Sequence, residues 1–363
     1  MLHYKPLPSP RELKTLYPLD AEAILFIEKA RKEISNILEG KDQRHLIIVG
    51  PCSIHDIKSI REYALKLKPL MHEVADQFLL VMRTYFEKPR TVVGWKGFLH
   101  DPELNNSYNI EQGLKLTRQL LIDLTRLKIP TAAEFLEPHS CAYLDDLIAW
   151  GCIGARTSAS QIHRQMASGL PMPVAFKNSV EGNVEIAIHG VISAAQPHSY
   201  MGINQDGQIS VVHTQGNSKG HIVLRGSDSG TNFDHASLAQ VIKSLAKFNL
   251  PLSFLIDCSH GNSKRLHEQQ RQVFHSVIDQ ITEGNASIRG LMLESHLHAG
   301  NQPMLENPQL LRYAVSLTDP CISWEATAAL IREAYNKMRD ALPIENNSTQ
   351  TLYSAGCSFQ KSR

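Results

Sequence analysis

Eight short apolar segments alternate with stretches of helical periodicity, and this alternation constrains the fold more than any other feature of the chain. The segments are residues 46–50, 78–84, 131–135, 152–156, 173–177, 221–225, 252–257 and 290–295. Most are bounded by turn residues and are apolar throughout, which is typical of parallel strands buried on both faces. Eight strand–helix units in 363 residues predict an α/β fold, a (β/α)8 TIM barrel.

Two segments lie outside this repeat. Residues 1–45 form an N-terminal extension, in which residues 20–39 carry apolar side chains at helical spacing until Gly40. Residues 198–213 place Gln205-Asp206-Gly207 between two apolar runs, which predicts an inserted β-hairpin before the sixth barrel strand. No linker or low-complexity tract divides the chain, so we expect a single catalytic domain over residues 1–363.

Composition excludes several classes of partner. The formal net charge is +1, so we expect neither a nucleic acid nor a membrane as a partner. There is no secretory leader pattern and no apolar run of membrane-spanning length, which predicts a cytoplasmic protein. The six cysteines are scattered along the chain without paired spacing. They are expected to be thiols or metal ligands rather than disulfides.

Reactive residues fall at or just after the ends of nearly all predicted strands. They are Cys52, Arg83, Glu134, Arg156, Lys177, Arg225, Asp257 with His260, and Glu294. The carboxyl ends of barrel strands meet at one mouth, where enzymes of this fold keep their active sites. A single charge at a strand end is more often part of a surface salt bridge. Their recurrence at eight strand ends favours an active site.

Six cations of this set would converge on one pocket. They are Arg83, Lys88, Arg90, Arg156, Lys177 and Arg225, three of them from the segment VMRTYFEKPRTVVGWKG at 81–97. Cations gathered in one pocket need anionic partners, so the cluster predicts two substrates that carry phosphate or carboxylate groups. The alternative for segment 81–97 is a solvated loop, since charged residues usually face water.

A second set offers mixed metal ligands. Cys52, His260, Glu294 and Asp319 supply a thiolate, an imidazole and two carboxylates. Such a set suits a divalent transition metal such as Mn, Fe, Co or Zn. Judged singly, Cys52 could be a small buried spacer and His260 a hydrogen-bonded loop histidine.

Several long motifs in this order carry a family resemblance. They are GPCSIHD (50–56), MRTYFEKPRTVVGWKG (82–97), GARTSASQIHRQMASGL (154–170), FKN (176–178), GHIVLRG (220–226), DCSHGNS (257–263), ESHLHAGNQ (294–302) and TDPCISWE (318–325). Together they resemble class I 3-deoxy-D-arabino-heptulosonate-7-phosphate (DAHP) synthase. The wording of the hairpin, MGINQDGQ, and of DCSHGNS is most similar to the tyrosine-sensitive type.

The resemblance implies a metal-dependent condensation of phosphoenolpyruvate (PEP) with erythrose 4-phosphate by a homodimer or homotetramer, the entry step of the shikimate pathway. It implies Cys52, His260, Glu294 and Asp319 as metal ligands. It assigns the PEP phosphate to Arg156, Lys177, Arg225 and the backbone of Gly154 and Ala155. Arg83 and Lys88 would face the PEP carboxylate, and Arg90 with Thr91 would bind the erythrose 4-phosphate. Glu134 would orient a water, and either Lys88 or His260 would donate a proton.

Two rival functions are disfavoured by the sequence. A sibling synthase that uses another aldose phosphate is disfavoured by the KPRT and GWKG motifs. A catalytically dead subunit is disfavoured because every matched ligand is present.

The chain departs from the family pattern in the effector pocket. There Cys141-Ala142 replace a usual Pro-Gln pair, Pro171 replaces a usual serine, and the arm ahead of Pro8 is short. We therefore expect weak, altered or absent inhibition by aromatic amino acids.

Overall fold

The computed structural model describes residues 2–341, and eight of their strands close into a parallel barrel. The strands are β1 (His45–Gly50), β2 (Phe78–Arg83), β3 (Thr131–Glu134), β4 (Trp150–Ile153), β5 (Val174–Lys177), β6 (Ser199–Ile203), β7 (Ile209–His213), β8 (His221–Leu224), β9 (Phe254–Asp257) and β10 (Ile288–Glu294). Around the barrel the order is β1-β2-β3-β4-β5-β8-β9-β10, with β10 returning to β1. The predicted TIM barrel is confirmed.

Two helices precede β1, and the others connect the barrel strands or follow the last one, because parallel neighbours can be joined only by crossover connections. They are α1 (Pro10–Leu16), α2 (Ala21–Leu38), α3 (Ile57–Glu73), α4 (Ile110–Arg126), α5 (Cys141–Leu144), α6 (Gln161–Gly169), α7 (Val184–Ala194), α8 (His235–Lys247), α9 (Gln270–Thr282) and α10 (Trp324–Ala341). Side-chain caps begin several of them, such as Asp56 for α3 and Asp234 for α8. The barrel strands are buried almost throughout, as expected when helices cover the outer face and side chains fill the interior.

The long helix α2 closes the amino-terminal end of the barrel. Its buried face, which includes Ile34, packs in one cluster with Leu46 and Trp150 near the starts of β1 and β4. The guanidinium of Arg31 donates hydrogen bonds to the carbonyl of Ile148 at 2.8 and 3.0 Å. The opposite, carboxyl-terminal mouth is therefore the end left for a ligand.

A short helix, α1, precedes α2 and was not predicted. Ser9 and Glu12 form a reciprocal capping box at its start, and Pro10 occupies its first turn. Arg11 of this helix pairs with Asp206 in the turn between β6 and β7, with 2.6 Å between Nε and Oδ1. Strands β6 and β7 pair antiparallel outside the barrel and form the predicted hairpin. The contact between Arg11 and Asp206 links this hairpin to α1.

One barrel strand differs from its predicted bounds by more than two residues. The fourth barrel strand spans Trp150–Ile153 rather than 152–156, so Arg156 lies three residues beyond its end. The amides of Thr157 and Ser158 both donate to the carbonyl of Gly154 at 3.0 Å. This tight turn ends the strand earlier than the run of small and apolar residues indicates.

Two further expectations concern cysteines and membranes. Cys52, Cys141, Cys152, Cys258 and Cys321 are all free thiols, and Cys357 lies outside the described residues. Among residues 2–341, no helix combines the length and the apolar character that crossing a membrane requires.

Gly290→Ala tests the contact that closes the barrel. A Cβ at this position in β10 would lie 2.5 Å from the carbonyl oxygen of Leu46 in β1. Neighbouring backbone cannot move aside cheaply, so we expect a loss of about 1–3 kcal/mol in the free energy of unfolding. Chemical denaturation followed by circular dichroism measures it. Gly230→Ala is the matched control, since a Cβ there meets no atom within 4 Å. Equal stabilities for the two variants would contradict the packing described.

Candidate active site at the barrel mouth

The structure brings most of the predicted site residues to one rim of the barrel. Arg83, Glu134, Lys177 and Glu294 are the last residues of β2, β3, β5 and β10. Cys52, Arg225 and His260 lie one to three residues beyond the ends of β1, β8 and β9, and Asp319 lies between β10 and α10. These side chains share one mouth because every barrel strand runs in the same direction.

Three potential metal ligands lie together at this mouth. One donor atom each from Cys52, Glu294 and Asp319 can be chosen so that all lie within 4.8 Å of one another. His260 is adjacent, with its Nε2 3.8 Å from Oε1 of Glu294 and 3.9 Å from Oδ2 of Asp319. A buried thiol, an imidazole and two carboxylates form a donor set that fits a divalent transition metal.

His260 is oriented by a carboxylate to which the sequence analysis assigned no role. Its Nδ1 lies 2.9 Å from Oδ2 of Asp257 and 2.7 Å from Oγ of Ser259. This leaves Nε2 facing Glu294 and Asp319, the arrangement usual for a metal-binding histidine. His260 has a φ of 55°, in the left-handed region that few non-glycine residues adopt. The segment DCSH contained the signal, since an aspartate ends the strand three residues before the histidine.

The thiol of Cys52 is buried and lies against a cation. Burial raises its pKa to about 12, with Glu294 adding to the increase and Lys88 opposing it. Nζ of Lys88 lies 3.2 Å from the sulfur and 3.1 Å from the carbonyl oxygen of Cys52. Although burial by itself lowers the pKa of Lys88, Cys52, Glu294 and Asp319 together raise it above its ordinary value. Lys88 is therefore a charged ammonium group beside the candidate metal ligands.

Two buried ion pairs fix the charged groups below the rim. Arg83 Nη2 lies 2.9 Å from Oε1 of Glu294, and Nζ of Lys177 lies 2.9 Å from Oδ2 of Asp257. The side chains of Arg83 and Glu294 are 0% and 2% exposed. Burial alone would raise the pKa of Asp257, but Lys177 and His260 hold it well below its ordinary value. These two contacts set the positions of all four groups before any ligand arrives.

The arginines of the mouth retain unused donors. Nη1 of Arg83 is buried and has no hydrogen-bond partner within residues 2–341. Arg225 is 4% exposed and forms no ion pair in this part of the chain, although its Nη1 donates to the carbonyl of Gly226 at 3.2 Å. Burial lowers the pKa of Arg225, and Arg265 and Arg156 lower it further. A buried cation in this position is stabilised when an anion binds.

The remaining predicted contacts lie on an exposed rim. Nε of Arg156 donates to Oγ1 of Thr91 at 3.0 Å, which joins the turn after β4 to the loop after β2. Nε of Arg90 donates to the carbonyl of Trp95 at 2.8 Å and so shapes the same loop. Arg90, Thr91 and Arg156 are all exposed to solvent. They can therefore contact a ligand that approaches from outside the barrel.

Gly154 packs against the carboxylate of Glu134. A Cβ at position 154 would lie 1.9 Å from Oε1 of Glu134, so glycine here leaves room for the carboxylate in this orientation. Glu134 is 6% exposed, and its carboxylate accepts no hydrogen bond from the described residues. Ala155, the next residue, is half-buried at the rim. An unpaired acceptor at this position can order a water or a ligand proton.

Comparisons with known proteins agree with this geometry. Residues 19–332 match the DAHP synthetase I family. The chain is 48% identical over 336 residues to the Tyr-sensitive phospho-2-dehydro-3-deoxyheptonate aldolase of Escherichia coli (strain K12), which spans 93% of this chain and 94% of that protein. It is 43% identical over 342 residues to the phospho-2-dehydro-3-deoxyheptonate aldolase of Corynebacterium glutamicum, with 92% of each chain covered.

A solved structure supports the same assignment. The phospho-2-dehydro-3-deoxyheptonate aldolase from Francisella tularensis SCHU S4 superposes with a TM-score of 0.90 at 42% identity, covering 93% of this chain and 98% of that one. Matches of this extent at this identity show common family membership. The chain belongs to the DAHP synthetase I family.

Proposed function

We propose that this protein condenses phosphoenolpyruvate with erythrose 4-phosphate and water to give DAHP and phosphate, the first step of the shikimate pathway. One observation carries the proposal beyond family membership. The mouth combines a mixed metal-ligand cluster with buried cations, and Nη1 of one of them, Arg83, has no hydrogen-bond partner within residues 2–341. A reaction of a doubly anionic enol phosphate with a phosphorylated aldehyde needs both.

The metal-ligand role belongs to Cys52, His260, Glu294 and Asp319. Their chemistry suits Mn, Fe, Co or Zn. A divalent ion held there supplies Lewis acidity toward the oxygen of the aldehyde. Asp257 would keep His260 in the correct orientation, as its 2.9 Å approach to Nδ1 indicates.

The cations at and below the rim would hold phosphoenolpyruvate. Arg83, through the Nη1 that has no partner in the described part of the chain, and Lys88 would face the carboxylate. The phosphate would be held by Lys177 and Arg225, which are both buried, together with Arg156 and the backbone of Gly154 and Ala155. Charge-assisted hydrogen bonds from fixed cations orient a dianion strongly, because their positions do not have to change on binding.

The exposed loop after β2 would hold the second substrate. Arg90 and Thr91 would bind the phosphate end of erythrose 4-phosphate, and their exposure supports this assignment. The aldehyde would then point inward toward C3 of phosphoenolpyruvate. Holding both reactants in one orientation converts a bimolecular encounter into an intramolecular one.

The bond changes follow from this placement. C3 of phosphoenolpyruvate attacks the aldehyde carbon, water adds at C2, and phosphate leaves with cleavage of its C–O bond. Glu134 would orient the water, because its buried carboxylate has no partner among the described residues. Lys88 or His260 would protonate the oxygen that develops at the former aldehyde. Lys88 is charged and lies 3.2 Å from Cys52 Sγ, and His260 Nε2 faces the same cluster, so both remain candidates.

We propose further that the protein acts in the cytoplasm as a homodimer or homotetramer. The hairpin exposes an apolar face, with Met201 and Ile209 each 80% exposed and Val211 65% exposed. Covering this face would remove apolar surface from water, which favours self-association.

The function and its metal dependence are tested together. Purified protein supplied with Mn should consume phosphoenolpyruvate and erythrose 4-phosphate and release phosphate in equal amounts, whereas arabinose 5-phosphate should not react. A chelator should abolish turnover, and Mn should restore it. Cys52→Ala should lower metal affinity by more than roughly 100-fold, because losing even an outer-shell partner costs about 10- to 100-fold.

Elemental analysis gives the metal content in the same samples. Cys258→Ala is the matched control, since Cys258 is an equally buried thiol outside the cluster and should keep its metal. Full activity in excess chelator, or an unchanged metal content in Cys52→Ala, would show that the cluster is not the metal site.

Arg225→Ala separates the two anion sites. It removes a buried cation from the proposed phosphate site of phosphoenolpyruvate, so binding of that substrate should weaken by about 2–3 kcal/mol, the scale of a hydrogen bond to a charged group. The KM for erythrose 4-phosphate should change much less. Arg126→Ala, at the exposed end of α4, is the control and should leave both KM values unchanged. Equal losses for both substrates in Arg225→Ala would refute the assignment.

Feedback control is expected to be weak. Sγ of Cys141 already donates to the carbonyl of Pro138 at 2.9 Å, and Pro171 offers no hydroxyl to an incoming amino acid. An ammonium or carboxylate left without a partner is costly to desolvate. Activity measured with tyrosine, phenylalanine and tryptophan should therefore persist at micromolar concentrations, with tyrosine the first to test. Strong micromolar inhibition by any of the three would mean that other residues form a working effector site.

A further inference from the structure

Strand β10 runs two residues past the end of its pairing with β9. The last register pair joins Met292 to Asp257, and the amide of Cys258 donates to the carbonyl of Met292 at 2.9 Å. Beyond this point the chain after β9 turns into a corner at His260, where φ is 55°, whereas β10 continues to Glu294. The next peptide group of β10 that faces this edge belongs to Glu294, because backbone groups alternate between the two edges of a strand. A buried peptide group needs a partner, so another part of the chain has to replace the departed strand.

The side-chain amide of Gln270 occupies that place. The amide of Glu294 donates to Oε1 of Gln270 at 2.8 Å, and Nε2 of Gln270 donates to the carbonyl of Glu294 at 3.1 Å. A carboxamide carries a donor and an acceptor side by side, so one side chain can satisfy both backbone groups of a residue. Gln270 is the first residue of α9 and is 0% exposed. It therefore acts as a short substitute for the strand that has turned away.

Backbone groups hold the segment around Glu294 from the other directions. The amide of Ser295 donates to the carbonyl of Gly50 in β1 at 2.9 Å, and the amide of Ile322 donates to the carbonyl of Glu294 at 3.0 Å. The two hydrogen bonds made by Gln270 come from a side chain instead. A substitution can therefore remove them and leave the backbone contacts in place.

We propose that Gln270 is a positioning residue that holds Glu294 in place as a metal ligand. The carboxylate of Glu294 lies 2.9 Å from Nη2 of Arg83 and 3.8 Å from Nε2 of His260, and its direction follows from its backbone. Ligands of a metal site must keep their places to within about 0.5 Å. By standing in for β9, Gln270 lets the chain form the corner at His260 while Glu294 on the adjacent strand stays fixed. The inference rests on the proposed function, which makes both residues ligands of one metal.

Gln270→Met tests the proposal, because it keeps the length of the side chain and removes both hydrogen bonds. The affinity of the metal-free protein for Mn, measured by titration calorimetry without substrate, should fall about 10- to 100-fold, the range for groups that hold a metal ligand in place. Co bound instead of Mn should show altered visible absorption bands, because these bands report the geometry of the ligands. The absorption band that arises from the sulfur of Cys52 should remain, since the substitution leaves β1 unchanged. Gln270→Asn keeps the amide but withdraws it by one methylene group, and it should show the same changes.

Gln280→Met is the matched control. Gln280 is also a buried glutamine of α9, and its Nε2 donates to the carbonyl of Phe233 at 2.7 Å. It lies about 15 Å farther along the helix, at a rise of roughly 1.5 Å per residue. This variant should lose stability but keep the Mn affinity and the Co spectrum of the wild type. Wild-type affinity and an unchanged Co spectrum in both Gln270 variants would overturn the proposal, as would an equal loss of affinity in Gln280→Met. Absence of condensation by the wild type would instead refute the proposed function, and the metal measurements, which need no substrate, would still decide the role of Gln270.

Discussion

The buried ion pair between Arg83 and Glu294 is the interaction on which the mouth of the barrel depends. It joins β2 to β10 across β1, and its 2.9 Å contact is sealed from solvent. Burying two charges is costly unless both are well paired. Here the pair positions a cation and a candidate metal ligand together, because Oε1 of Glu294 also lies 3.8 Å from Nε2 of His260. The candidate metal ligands and the cations proposed to bind the substrate are thereby held in one rigid arrangement.

A second pair extends the same construction. Lys177 and Asp257 link β5 to β9, and Asp257 in turn orients His260. The deep part of the mouth is therefore set in place by the protein, whereas Arg90 and Arg156 at the rim remain exposed. This division suits a site in which one anion binds below the surface and another binds at the entrance. Preorganised charge of this kind avoids reorganisation during reaction.

The sequence predicted the barrel because buried parallel strands leave a strong pattern, and it predicted the mouth because the carboxyl ends of such strands must meet. Elsewhere, features that depend on local backbone hydrogen bonds or on distant residues limited the prediction from sequence. The end of β4 was misplaced because the turn at Gly154 depends on backbone hydrogen bonds rather than on polarity. Helix α1 was missed although its capping box, Ser9 with Glu12, is readable in the sequence. Pairings such as Lys177 with Asp257 join residues 80 positions apart, and only the closed barrel reveals them.

We propose that Cys52, His260, Glu294 and Asp319 hold one divalent metal at this mouth. The most direct measurement is a crystal structure of the protein soaked with Mn, with anomalous diffraction data that locate the ion. We predict a single strong peak about 2.0–2.4 Å from the sulfur, the Nε2 nitrogen and one oxygen of each carboxylate, the usual range for transition-metal ligands. A peak elsewhere, or one that His260 or Cys52 does not contact, would contradict the account.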